Sequence, residues 1–73
     1  MSKLPQVSGA EVVRALQKTG FSVRRQHGSH IILRRDDPFA QTVVPNHRQI
    51  DRGTLRAILR QTGLSVDEFV GLL

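Results

Sequence analysis

The chain has no cysteine, no tryptophan and no tyrosine among its 73 residues, and only three phenylalanines. Without cysteine, the sequence excludes a disulfide framework, a thiolate zinc site and a nucleophilic thiol. The scarcity of aromatic side chains leaves little support for a surface that stacks nucleic-acid bases. A chain of this length has room for one small core, so residues 1–73 are predicted to form a single domain.

Long apolar stretches are also missing. Runs such as Ile31 to Leu33 fall far short of a membrane span, and the start Met1-Ser2-Lys3-Leu4-Pro5 has no apolar signal region. Hydrophobic residues nevertheless make up 38% of the chain at regular spacing, which favours a folded domain over a disordered basic tail. We therefore expect a cytoplasmic protein that does not associate with membranes.

Negative charge is scarce as well. Six Asp and Glu residues against eleven Lys and Arg residues give a formal net charge of +5. Most of these cations are arginines, whose planar guanidinium pairs with phosphate, and no segment combines a basic face with a wide aromatic one. A nucleic acid is therefore a better predicted partner than a membrane surface. A basic protein without a polyanionic partner is the alternative on charge alone.

Capping signatures mark the first and last helices. Ser8 and Glu11 form a capping-box pattern that predicts a helix over about residues 9–19. Ser65 and Glu68 repeat the pattern before a short C-terminal helix.

The middle helix is predicted to begin after Asp51 as its cap and to end at Gly63. Its two sides differ in character, with Leu55, Ile58 and Leu59 directed inward and Arg52, Arg56 and Arg60 directed outward. The arginine row is either a solvated face or a contact for the RNA backbone.

Alternating polarity predicts three strands between the first two helices. Residues 21–26 and 30–34 read as a hairpin joined at Gly28-Ser29, and residues 42–44 as a short third strand that Pro45 ends. The predicted fold class is thus α+β, a two-layer sandwich in which helices cover one face of a three-stranded antiparallel sheet.

The alternation also predicts which side chains share a face. Ile31 and Leu33 are the core pair of the second strand, and Phe21 and Val23 are the apolar pair of the first. The uncovered face is then predicted to carry His30, Ile32 and Arg34 of the second strand and Ser22 and Arg24 of the first.

Three histidines and a few carboxylates limit the chemistry. The adjacent acids before Pro38 are typical of a turn. A zinc site formed by His27, His30 and His47 is not expected, because a spacing of three along a hairpin is predicted to separate the first two and no fourth ligand is evident. No metal or other cofactor is therefore predicted.

His30 is the strongest catalytic candidate. It opens a strand next to Gly28, which permits close approach of a backbone or ligand, and Arg24 and Arg34 are predicted beside it. An imidazole exchanges protons at cellular pH, and guanidinium groups stabilise charge on phosphate. In RNA the substrate's own 2′-hydroxyl can attack the phosphate, so such a site needs neither a metal nor a protein nucleophile. The alternative is an exposed strand histidine without a special role.

The other two histidines have weaker cases. His27 is interpreted as solvated or as a phosphate contact in the turn. His47 is either a second acid or base or a residue that hydrogen-bonds the loop entering the middle helix.

Several stretches together resemble the HicA-like mRNA interferases, toxins of bacterial and archaeal toxin–antitoxin pairs. The order of a Gly-Ser-His turn, a Pro-x-His loop and a Gly-Thr-Leu helix is more specific than any one of these motifs. The matching stretches are Ser8-Gly9, Gly20-Phe21, 25–30, 43–47, 53–63 and 65–73. One departure is Asn46, which stands where the family pattern has an apolar residue.

The resemblance implies a double-stranded-RNA-binding-domain-like fold, metal-independent endoribonuclease activity on mRNA with His30 as the catalytic residue, and a HicB-type antitoxin bound over the active surface. The RNA-binding candidates are Arg24, Arg25, Gly28, Ser29, Arg34 and Arg56. One alternative is a non-catalytic RNA-binding module that reads duplex shape. Another is a subunit whose activity has decayed.

Overall fold

The computed structural model of the chain describes residues 3–73. Met1 and Ser2, where the predicted domain starts, lie outside the described residues. The elements in chain order are α1 (Gly9–Gln17), β1 (Ser22–His27), β2 (His30–Asp36), β3 (Phe39–Pro45), α2 (Arg52–Thr62) and α3 (Val66–Leu72). The strands form one antiparallel sheet in the order β1-β2-β3, which confirms the predicted α+β class. No helix within residues 3–73 is both long and apolar enough to span a bilayer.

The second and third strands are longer than the alternation pattern predicts, whereas β1 keeps the predicted length of six residues. β2 extends to Asp36 and β3 begins at Phe39, whereas the predicted strands covered 30–34 and 42–44. These two residues pair across a turn that contains Pro38. The proline lies in the turn rather than in the ladder, so it does not interrupt the strands, and each reaches seven residues.

Helices cover one face of the sheet and form the core with it. The predicted core pair Ile31 and Leu33 is buried, and the Thr42 hydroxyl donates to Oε1 of Gln61 at 2.7 Å, which joins β3 to α2. Other side chains buried between the layers are Val12, Leu16, Val44, Leu55, Ile58, Leu59 and Phe69. The inward face predicted for α2 is therefore confirmed.

The first helix is shorter than predicted. It ends at Gln17, and a turn follows in which Gly20 has a φ of 91°, a left-handed conformation that suits glycine. The amide of Phe21 donates back to the Leu16 carbonyl at 3.3 Å, and the phenyl ring is buried. Val23 does not share that burial, since 43% of it is exposed on the edge strand β1.

Asp51 precedes α2 as the N-cap residue, but its side chain does not bond a backbone amide. Its Oδ2 accepts a hydrogen bond from the Thr54 hydroxyl at 3.0 Å instead. Gly63 ends the helix with a φ of 77°, as predicted.

Both predicted capping boxes are present. Ser8 exchanges hydrogen bonds with Glu11, and Ser65 does so with Glu68. The backbone amides of the two serines are the main cause that lowers the pKa of each glutamate from its ordinary value, and the serine hydroxyls add to it.

Acid should therefore weaken the fold through these boxes. A carboxylate whose pKa is lower in the folded than in the unfolded chain stabilises the fold above its unfolded pKa, and that stabilisation is lost as the pH falls through the folded value. We expect the melting temperature to fall once the pH is lowered below about 4.3, the pKa of glutamate in the unfolded chain. The drop should be smaller in E11Q/E68Q, because the amide of a glutamine side chain does not titrate in this range. Equal acid sensitivity in thermal melts of both proteins would contradict this prediction.

Candidate active site and nucleic-acid interface

The sheet face that the helices leave uncovered carries His30. Ile31 and Leu33 point into the core, so His30, Ile32 and Arg34 lie on the opposite side of β2. The strand register then fixes the rest of this surface, which we call the open face. Its members are Ser22, Arg25, His27, His30, Ile32, Arg34, Asp36, Phe39, Gln41, Val43 and Pro45.

His27 and His30 are direct partners across the β1-β2 hairpin. The turn between them consists of Gly28 and Ser29, and Gly28 has a φ of 57°, which favours glycine at this position. A β-carbon on Gly28 would meet nothing within 4 Å, so the glycine serves the turn conformation rather than a close approach. The prediction that the two histidines lie on different faces is wrong, because residues three apart pair directly when the turn has two residues.

A β-bulge in β1 brings Arg25 onto the open face. The register pairs Val23 with Leu33 and Arg25 with Ile32, so Arg24 is the extra residue of the bulge. The bulge thus puts both Arg24 and Arg25 opposite Ile32, and a role for Arg24 beside His30 stays a prediction. Arg25 lies on the open face with Ile32, and both arginines are exposed.

Arg34 lies on the open face as predicted, and it has an acidic neighbour. Its Nε is 3.0 Å from Oδ1 of Asp36, so the two side chains form an ion pair. The Nε–H group makes no hydrogen bond there. The side chain of Asp36 is 73% exposed, which limits the strength of the pair. A phosphate that approaches Arg34 thus competes with an exposed carboxylate.

The loop after β3 lies next to His30, because Pro45 is the direct partner of His30 on that side. The amide of Asn46 donates to the carbonyl of Ser29 at 2.6 Å, and the amide of Gly9 donates to the carbonyl of His47 at 2.9 Å. The loop is therefore held between the hairpin turn and the start of α1.

Gly9 allows this packing. A β-carbon on Gly9 would overlap the carbonyl oxygen of Pro45 and lie 3.0 Å from the Cα of Asn46. The backbone of α1 thus approaches the loop more closely than any other residue type permits.

His47 is exposed, and its backbone amide donates to the Pro45 carbonyl at 2.9 Å. The loop that carries it is thus held by backbone hydrogen bonds. A role for its imidazole as a second acid or base stays a prediction.

Arg56 is not part of the open face. It lies on α2, on the other side of the sheet, and lines a cleft of about 470 Å³ between α2 and α3. The other residues that line this cleft are Lys3, Leu4, Arg52, Ser65, Val66 and Asp67. The outward direction predicted for the α2 arginines is confirmed, since Arg52, Arg56 and Arg60 are exposed.

No three His, Cys, Asp or Glu side chains within residues 3–73 come together as a group that could hold a metal ion. The open face instead combines imidazoles with guanidinium groups. Such a face can bind a phosphate and exchange protons with a bound substrate.

Two features of the site region were not identified from the sequence as parts of it. Gly9 contacts a loop more than thirty residues away, a contact that helical periodicity does not contain. Phe39 is 68% exposed on the open face. The sequence hinted at this exposure only because Phe39, unlike the other two phenylalanines, had no predicted core position.

Comparison with known proteins identifies a family for this chain. No curated protein matches it at a significant level. The family described as the HicA toxin of bacterial toxin–antitoxin systems matches residues 9–64, which run from the start of α1 to just past the end of α2. The chain therefore belongs to the HicA toxin family, whose members are the toxins of bacterial toxin–antitoxin pairs.

Proposed function

We propose that the chain is an endoribonuclease that cleaves mRNA without a metal ion and uses His30 to transfer a proton. The observation that carries this proposal is the position of His30, which is exposed at the start of β2 on a face that also holds His27 and Arg25. Membership of the HicA toxin family supports it independently.

The chemistry needs little from the protein beyond these groups. The 2′-hydroxyl of the RNA attacks the adjacent phosphorus, so the nucleophile belongs to the substrate. His30 accepts or donates a proton in this step, and Arg25 and Arg34 stabilise the charge that develops on the phosphate oxygens. The turn residues Gly28 and Ser29 lie between His27 and His30, and we propose that they contact the phosphate.

Products distinguish this enzyme from a binding module. RNA incubated with the purified protein and a chelator should yield new fragments that end in 2′,3′-cyclic phosphate. Intact RNA that only shifts in a gel would instead support the alternative, a non-catalytic RNA-binding module. The exposed arginine row of α2 is the observation that favours that alternative, because it offers guanidinium groups to a phosphate backbone far from His30.

The position of Arg25 on the open face predicts that it contributes to RNA binding. R25A should weaken RNA binding about tenfold, because it removes a guanidinium from the open face. The salt dependence of log K should become shallower by about one unit in R25A. Fluorescence anisotropy with labelled RNA in an H30A background measures both quantities. Unchanged affinity and an unchanged salt dependence in R25A would contradict this role.

The partner we propose is a HicB-type antitoxin that covers the open face. Besides its charged groups, this face exposes Phe39 and Val43, at 68% and 42% of their surface, next to the half-buried Ile32. Such a mixture of apolar and basic side chains suits a protein partner with an acidic rim. Bound there, the antitoxin would block access to His30, and we propose that the pair acts in the cytoplasm.

A further inference from the structure

The proposed reaction moves two protons. The 2′-hydroxyl loses one as the O2′–P bond forms, and the leaving O5′ gains one as the P–O5′ bond breaks. We propose that His27 is a second catalytic residue, which forms an acid–base pair with His30. This inference rests on the proposed endoribonuclease activity. It supplies a second proton-transfer group beside His30.

The hairpin places the two histidines side by side. His27 and His30 are direct cross-strand partners, so they share the open face, and Cα atoms in such a pair lie about 5.5 Å apart. Both residues are exposed, which leaves the imidazoles accessible to a phosphate between them.

The turn that joins them is held on both sides. Nε2 of Gln26 donates to the carbonyl of Gly28 at 2.9 Å, and the amide of Asn46 donates to the carbonyl of Ser29 at 2.6 Å. These bonds fix the relative position of the two strand ends. A fixed spacing is what a pair of proton-transfer groups around one phosphate requires.

The other charged groups around the pair are poorer candidates. On the open face, the bulge and the loop beside it they are Arg24, Arg25, Arg34, Asp36, His47 and Arg48. The arginines hold their protons at any working pH. Asp36 is six residues along β2 from His30, about 20 Å at the usual rise per residue, and it pairs with Arg34. His47 lies on a loop beyond Pro45, whereas His27 is paired with His30 itself.

The step balances with these two groups alone. One imidazole enters neutral and takes the proton of the 2′-hydroxyl, while the other enters protonated and gives its proton to O5′. The products are a 2′,3′-cyclic phosphate and a free 5′-hydroxyl. The two imidazoles end with their protonation states exchanged, and solvent restores them.

The first test separates proton transfer from phosphate binding. We expect H27A and H27R each to lower kcat about 100-fold, because arginine keeps a positive charge but cannot exchange a proton. Thermal melts should show that both variants stay folded, since His27 is exposed. If H27R cleaves as fast as the wild type, or if H27A raises KM with kcat unchanged, His27 is only a phosphate contact and the proposal is overturned.

The second test is the dependence of kcat on pH. The wild-type profile should be bell-shaped, and the H27A profile should lose one limb. A profile that keeps both limbs in H27A, or one that loses a limb in H47A instead, overturns the pairing. The outcomes also separate two failures. Full activity in H30A would refute the proposed function, whereas an inactive H30A beside fully active H27A and H27R would refute only the pairing.

Discussion

Replacing His30 with alanine should reduce RNA cleavage by a factor of about 10² to 10⁴ without loss of the fold. The size of the effect is that of general acid–base catalysis by one positioned side chain. The fold should survive because His30 is exposed and makes no side-chain hydrogen bond among those found in residues 3–73. The unfolding free energy should therefore change by no more than about 0.5 kcal/mol. Single-turnover cleavage of labelled RNA and a denaturant titration measure the two quantities.

The matched control for this prediction is Q41A. Gln41 is a polar, exposed residue of the same open face, paired with Arg34, and it has no group that exchanges protons. Q41A should cleave at close to the wild-type rate. An H30A protein that is folded and as active as Q41A would exclude His30 from the chemistry.

The second large effect is expected at Gly9. A single β-carbon there meets backbone atoms of Pro45 and Asn46 rather than a flexible side chain, so the loop itself must move. That movement strains the hydrogen bonds that the loop makes to α1 and to Ser29. We expect G9A to lower the unfolding free energy by about 3 kcal/mol, the upper end of the range for overpacking.

Gly53 provides the control for Gly9. It also lies in the first turn of a helix, but a β-carbon on it would meet nothing within 4 Å. G53A should raise stability by about 0.5 to 1 kcal/mol, because alanine loses less conformational freedom on folding. Urea denaturation of both variants tests the pair. Equal stability of G9A and the wild type would show that the loop does not depend on the close approach.

Much of the fold was predictable because its signals are local. The capping boxes at Ser8 and Ser65 fixed two helix starts, and the alternation around Ile31 and Leu33 identified the core face of β2. The exposed position of His30 followed from that same alternation. These features depend on residues within a few positions of one another.

The site was less predictable where it depends on pairing. The bulge at Arg24 shifts the rest of β1 by one residue, and no local pattern marks it. The pairing of His27 with His30 follows from the length of the turn, which the alternation alone does not determine. The contact of Gly9 with Pro45 joins distant parts of the chain, so only the folded structure contains it.

The most direct test of histidine-driven transesterification uses an RNA whose 2′-hydroxyl groups are all methylated. Because the proposed nucleophile is then absent, the wild-type protein should bind this RNA but leave it intact, while it cuts the unmodified RNA to fragments with 2′,3′-cyclic phosphate ends. Cleavage of the methylated RNA, or fragments with 5′-phosphate ends, would contradict the account.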